Sequence, residues 1–540
     1  MKIIIDLQGN QSTGSRNRGI GRYSLSITKA ILKNKKDHQV LIVLSNLFQE
    51  NIALIKEELQ DFIAEKNIYV WDAPLNVSFI DANNDTKRKD AQYLRETFLA
   101  SLNPDMVFIT SLFEGLMDDA VTSIGLMKYN IPTAVVLYDL IPLIHSSPYL
   151  DNVDVNRWYR EKITHLQKAD LLLSISDSSR NEAIKYLNTP CEKVINIGTA
   201  ADEQFQKIDI SAQLQSDVLL RYKLTKDFLM YTGGIDHRKN IEGLIRSYAL
   251  LSLSIRNEHQ LAIVCSINDE QRKTLNTLAK SLGLKEEELI FTGYIKEDDL
   301  IVLYNLCKAF IFPSWHEGFG LPALEAMHCG APVIASDKSS LPEVIGLEDA
   351  LFDSLNDNKM SQKIEQILTD ESFRKRLISH GEKQCEKFSW DQSAKKAIQA
   401  FESFIQNQKA PLIQKENMKQ KLAYFSPMPP QRSGIADYSL ELLSYLSDYY
   451  DIDIIVEDMN SIDKDILEKY SLETIDYFED NVSKYQRKLY HFGNSHFHKY
   501  MFDLLAKYQG TVVLHDFYLG HVIDSMGVLD QQMFVSHSYT

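Results

Sequence analysis

The chain has little cysteine, no long apolar run and no excess of positive charge, and each shortage removes a class of protein. Its five cysteines, at 191, 265, 307, 329 and 385, show no CxxC or CxxxC spacing, which argues against both a zinc site and a disulfide framework. No stretch approaches the ~18 consecutive apolar residues of a membrane span. The start, MKIIIDLQGN, reads as a first strand and not as a signal peptide. The expectation is a cytoplasmic chain. A net charge of −16 argues against extended nucleic-acid binding, which needs basic faces, but leaves room for a local basic pocket.

What is present is ordinary globular material: 540 residues, 44% hydrophobic and 24% charged, enough by length for about three to four domains. Residues 2–6, KIIID, read as a buried strand that enters a glycine-containing loop before an apolar-periodic helix, Leu25 to Leu32. Strands at Val40–Leu44, Ile68–Trp71, Met106–Thr110 and Thr133–Leu137 alternate with helical stretches, including Asp90–Leu102 and Leu116–Tyr129. That βα alternation predicts a parallel, doubly wound α/β sheet. Gly19-Ile20-Gly21 supplies G-x-G, but Ser24 takes the third glycine's place, so a dinucleotide fingerprint is incomplete.

A second α/β unit begins at Phe228–Thr232 and runs into Gly233-Gly234-Ile235-Asp236-His237-Arg238-Lys239-Asn240. Two glycines permit close backbone approach, and adjacent Arg and Lys give a planar fork plus a point charge, a suitable clamp for a diphosphate. The richest stretch is FPSWHEGFGLPALEAMHCGAPVIAS, residues 312–336. The strand Ala309–Phe312, a glycine loop and a Pro322-started helix make a helix N-terminus, which favours a phosphate. Glu317 in the loop and Glu325, eight residues on, place two carboxylates where sugar hydroxyls would need acceptors.

This string resembles the E-x7-E signature of retaining GT4 glycosyltransferases, and GIGRY at 19–23 and the Arg238-Lys239-Asn240 element resemble other motifs of that family. The resemblance implies a GT-B fold: two Rossmann-like doubly wound domains facing a cleft, at 1–201 on the acceptor side and 202–406 on the nucleotide-sugar side. By that likeness the catalytic residues are Glu317, Arg238, Lys239 and Asp139. Gly19, Gly21, Tyr138, Gly234, Tyr294, the loop residues Gly318, Phe319, Gly320 and Leu321, and Glu325 bind substrate. Tyr138 stands where many members have His, leaving it to hydrogen-bond a sugar hydroxyl, and His145 reads as a loop residue. Ser339-Ser340-Leu341-Pro342-Glu343 matches a structural S-x-P-E element that starts a well-capped helix. No metal and no cofactor is implied, because the cationic cleft floor takes the metal's part at the departing diphosphate.

After a polar stretch at 407–420, read as a linker, Lys421–Phe425 begins a new strand. It leads to Gly434-Ile435-Ala436-Asp437-Tyr438-Ser439, parallel to Gly19-Ile20-Gly21-Arg22-Tyr23-Ser24. His515-Asp516 then follows a strand at Thr511–Leu514. The expectation for 421–540 is a partial Rossmann-like domain, half of a second transferase module, either truncated or used for docking. The Asp451-x-Asp453 pair falls in a predicted strand and reads as incidental.

The implied reaction is retaining transfer of a hexose from a nucleoside diphosphate sugar to a glycan or lipid-linked acceptor in surface polysaccharide assembly. The implied surroundings are the inner face of a membrane or a polysaccharide-assembly complex, with no nucleic acid. IDLQG and RGIGRYS most resemble polymannose O-antigen enzymes, which puts GDP-mannose first among donors and UDP or dTDP sugars after it. The alternative is a non-catalytic scaffold that binds nucleotide sugar without transferring it.

Overall fold

The computed structural model describes residues 1–127, 131–415, 419–459, 462, 466 and 469–526. The chain divides into two compact units, Met1–Ile405 and Gln406–Thr540. In the first, strands β1 (Lys2–Asp6), β2 (Gln39–Ser45), β3 (Ile68–Trp71), β4 (Met106–Ile109), β5 (Thr133–Leu137), β6 (Leu171–Ser174) and β7 (Val194–Asn196) form one sheet. Its order is β3-β2-β1-β4-β5-β6-β7, parallel throughout.

A second parallel sheet follows, built from β8 (Asp227–Thr232), β9 (His259–Val264), β10 (Leu289–Phe291), β11 (Ala309–Phe312), β12 (Val333–Ser336) and β13 (Leu351–Phe352). Its order is β10-β9-β8-β11-β12-β13. Each sheet reverses direction once, at β1/β4 and at β8/β11, and in such sheets ligands bind beyond the strand ends at that switch point. The strands are apolar on both faces because helices cover both; Ile3, Ile4 and Ile5 are all fully buried.

One hydrophobic core runs through both lobes, from Ile3 to Ile405. The helix Trp390–Lys415 contributes to it: Phe401 meets Phe108 of β4 at 5.6 Å between ring centroids, so a helix following the second lobe packs on the first. Residues 407–415 extend that helix, where the sequence predicts a linker. Gln and Lys have helix propensities close to that of Leu, so polarity alone does not stop a helix.

Two other expectations are corrected. Residues 116–127 form bends and irregular backbone rather than a helix, and the end of the predicted helix, 128–129, lies outside the described residues. Side chains hold that segment irregular. The Asp119 carboxylate accepts the backbone N–H groups of Asn76, Val77 and Ser78, and Glu96 accepts those of Leu126 and Met127. The first long helix spans Gly19–Asn34, so Gly19 and Gly21 sit in its opening turn and not in a loop before it.

The second unit has a five-stranded parallel sheet: β14 (Gln420–Phe425), β15 (Tyr450–Val456), β16 (Ser471–Thr474), β17 (Arg487–Phe492) and β18 (Thr511–Leu514). The order β16-β15-β14-β17-β18 repeats β3-β2-β1-β4-β5. Asp453 of the D-x-D pair is buried, salt-bridged to Lys421 at 2.7 Å and accepting the Tyr485 hydroxyl at 2.8 Å, which accounts for it structurally.

Candidate active site

Beyond β8, the chain turns through Gly233 and Gly234 and a short 3-10 turn, His237–Lys239, before the helix Ile241–Ala249. Beyond β11, it turns through Ser314–Gly320 into the helix Leu321–His328. Because β8 and β11 are neighbours at the switch point, these two turns face one another. Gly320, at φ +107, is left-handed, and a Cβ there would lie 2.7 Å from Leu341 Cδ2, so glycine is needed on both counts.

The predicted clamp and the predicted glutamate meet. Arg238 Nη1 donates to Glu317 Oε2 at 2.7 Å, and Lys239 Nζ donates to Oε1 at 2.6 Å. Burial pushes the Glu317 carboxyl up, but Lys239 and Arg238 outweigh it and hold the group below its ordinary range. Arg238 also pairs with Asp236 at 3.1 Å and donates to the His316 carbonyl. The carboxylate therefore pre-positions two cations that would otherwise be poorly solvated.

The loop itself is held from below. Ser339 Oγ accepts the Glu317 N–H at 2.8 Å, and Ser340 Oγ donates to the carbonyls of Glu317 and Phe319 at 3.0 and 2.7 Å. The sequence suggests Ser340 as a helix cap; it makes no such bond, because its hydroxyl is committed to the glutamate loop. Phe319 is buried edge-on against Phe388, and Leu321 is half-buried at the helix start.

Glu325 lies one turn into the helix and is buried, accepting the Tyr304 hydroxyl at 3.1 Å. Its pKa is pushed up to about 7, first by burial and then by Asp202 and Glu297, against the opposing pull of Arg22 and the Tyr304 hydrogen bond. Arg22, inside GIGRY, bridges the lobes: one guanidinium nitrogen is 4.0 Å from Glu325 and the other 2.9 Å from Glu297. A Cβ on Gly19 would enter open space, whereas one on Gly21 would strike the Arg16 carbonyl at 2.4 Å. Gly21 is thus explained by packing of the 15–16 turn.

From the first lobe, Tyr138-Asp139 follows β5. The Tyr138 hydroxyl donates to the Thr110 carbonyl at 2.9 Å and its ring packs on Tyr23, so the phenol's proton is already committed. A Cβ on Gly318 would lie 2.6 Å from the Tyr138 carbonyl and 3.3 Å from Asp139 Oδ2. The Gly318 carbonyl in turn accepts Ser176 Oγ at 2.6 Å. The glutamate loop is seated directly on the first lobe. Asp139 accepts the Ile141 N–H, and burial raises its pKa.

His316 completes the contact, with Nε2–H to Glu182 at 2.8 Å and Nδ1 accepting from His145 at 2.8 Å. His145 is therefore tied to the loop beside Glu317. Gly234 accepts the Tyr231 hydroxyl through its carbonyl, and Tyr294, after β10, is 81% exposed. A cavity of about 330 Å³ opens beside the Arg238 turn, lined by Asp236, His237, Asn240 and Gln271 among others. Sequence reasoning did not single out Arg22, Ser176, His316 or Tyr304. Arg22 and His316 lie within or next to the motifs themselves, whereas Ser176 and Tyr304 carry no local signal.

The family model for group 1 glycosyl transferases matches residues 219–384, the second lobe. The serotype-specific mannosyltransferase WbdA of Escherichia coli is 38% identical over 408 residues, 75% of this chain and 48% of that protein. The O-antigen chain mannosyltransferase B of Escherichia coli is 35% identical over 246 residues, 45% of this chain and 64% of that one. The chain spans about half the length of the WbdA relatives it matches. Among solved structures, sucrose-phosphate synthase from Thermosynechococcus elongatus aligns with a TM-score of 0.56 at 18% identity, over 75% of this chain and all of that one, a likeness of fold. With the motifs assembled at the switch point, these likenesses give the first unit the GT-B fold and make residues 219–384 within it a group 1 glycosyl transferase domain.

Proposed function

We propose that Met1–Ile405 transfers a hexose, mannose from GDP-mannose, to a hydroxyl of a glycan or lipid-linked glycan in O-antigen synthesis, with retention at the anomeric carbon. The observation that carries this reading is the convergence of Arg238 and Lys239 on Glu317 beside the N-terminus of the helix Leu321–His328. Two cations and a helix N-terminus form a preorganised cradle for a diphosphate that gains charge as it leaves. The anomeric C–O bond to phosphate breaks, the acceptor oxygen bonds to the same face, and the acceptor proton passes to the leaving phosphate oxygen. Glu317 meets donor hydroxyls from the cation side, and Glu325 accepts from the ribose. The mannosyl assignment draws on the names of the relatives, WbdA and the O-antigen chain mannosyltransferase B.

The test is incubation of the purified protein with GDP-mannose and a synthetic mannoside, following GDP release and the product's anomeric NMR signal. An α-mannosylated product supports the reading; transfer from UDP or dTDP sugars in place of GDP-mannose overturns the donor. The scaffold alternative draws on Tyr138, whose hydroxyl is spent on the Thr110 carbonyl. Nucleotide-sugar binding with neither transfer nor hydrolysis would favour it.

A further inference from the structure

A cavity of about 630 Å³ in the first unit shares no lining residue with the Arg238–Lys239–Glu317 cluster. It lies where the chain crosses between lobes. One wall is the helix Gly19–Asn34 with Lys29 and Lys33; another is the crossover at Asp202–Gln206; a third is the return at Phe388–Trp390. Phe62 and His328 close it.

Its chemistry is mixed in a particular way. Lys29 and Lys33 place their ammonium groups 5.8 and 5.4 Å from the Phe62 ring centroid, and Asp202 and Glu203 supply carboxylates from the crossover. A small ion of either sign would meet like charge. Two lining side chains, Trp390 at Nε1 and His328 at Nε2, carry buried polar atoms with no hydrogen-bond partner among the described residues. Such atoms are costly unless a water or ligand satisfies them. Aromatic walls, with donors and acceptors of both kinds and charges of both signs, together fit a neutral polyhydroxylated ring, whose C–H face packs on an aromatic and whose rim exchanges hydrogen bonds. Ring contacts run from it toward the cleft: the Trp390 ring lies 5.1 Å from Tyr23, and Tyr23 lies 5.2 Å from Tyr138.

We propose that this hinge cavity is a second saccharide site, which holds mannose residues of the glycan chain away from the site of transfer. The kind of sugar rests on the function proposed above; the existence of the site rests on the cavity. An occupant touches the first lobe and both crossovers at once, so its binding is coupled to the relative position of the lobes.

The test uses the full chain and α-linked mannotriose, with binding read by calorimetry and by saturation-transfer NMR. Wild type binds, Phe62→Ala weakens binding by about tenfold, Phe62→Tyr restores it, and Lys33→Ala, at an exposed position, weakens it without unfolding the protein. Phe62→Ala leaves transfer to a short mannoside unchanged, and Glu325→Gln retains mannotriose binding. Loss of mannotriose binding in Glu325→Gln but not in Phe62→Ala would overturn the proposal, as would a wild type that transfers mannose and binds no mannotriose. Phe62-dependent binding without mannosyl transfer would leave the hinge site standing and remove the function instead; absence of both would remove the two together.

Discussion

The first lobe and the C-terminal unit are built on one plan and differ in what is laid over it. Both have the strand order 3-2-1-4-5 and begin with a strand, a loop and a helix opening on Gly-Ile, followed by Tyr-Ser. In the first lobe the turn after the fifth strand, Tyr138-Asp139, is covered by Gly318 of the glutamate loop. The matching turn, His515-Asp516, is engaged within its own unit: His515 meets His491 at 2.9 Å and Asp516 accepts the Asn494 N–H at 2.8 Å. It then runs into Phe517, 99% exposed. Where Arg22 reaches toward Glu325, the repeat has Asp437. The sheet supplies a scaffold in both; in the proposed transfer the chemistry comes from the lobe packed against the first one.

The comparison breaks most sharply at the cations. Lys239→Ala should cut turnover by about 100-fold, the scale of losing one donor to a developing oxyanion, while Arg238 continues to pair Glu317 and the fold survives. His515→Ala in the repeat should leave turnover unchanged. Steady-state kinetics with circular dichroism on both variants checks the pair; equal losses would contradict the division of labour.

The next effect concerns the seat of the loop. Gly318→Ala places a Cβ 2.6 Å from the Tyr138 carbonyl and should lower kcat by about tenfold through misplaced closure. Gly493→Ala places one 2.2 Å from Ile435 Cδ1 and should instead lower only the melting of the C-terminal unit. Calorimetry with assays separates the two outcomes.

Acid should divide the regions as well. Buried Glu325 has a folded pKa of about 7, above its ordinary 4.5, so its contribution to stability is full below 4.5 and is lost as pH rises through 7. His491 is held down to about 4, first by burial and then by His515 and His498, so its contribution is present above 6.5 and is lost as pH falls toward 4. Between pH 7 and 5 the wild-type repeat should lose hydrogen-exchange protection that a His491→Gln variant does not lose, and Glu325→Gln should gain on wild type at pH 8 relative to pH 5. The reverse order would break the assignment.

Much of this was legible in the residues. Apolar runs placed the strands to within a residue or two, and the glycines with Arg238, Lys239 and Glu317 marked the two turns that meet at the switch point, because those residues lie in contiguous motifs. Contacts between segments far apart in sequence were not legible. Ser340 reads as a cap until its hydroxyl is seen on the Glu317 and Phe319 carbonyls. Residues 116–127 read as a helix because the acceptors Asp119 and Glu96 serve backbone groups that periodicity does not reveal. The smallest expected effect follows from another such contact: Arg22→Ala should raise the pH at which Glu325 ionises and weaken nucleotide binding modestly near neutrality, whereas Asp437→Ala should do neither.

In the proposed function Arg238 and Lys239 grip the diphosphate. Calorimetric titration of GDP into wild type and Lys239→Ala tests it most directly. Wild type should bind GDP and the variant should bind it with an affinity about 100-fold lower; equal affinity for the two proteins would contradict the grip.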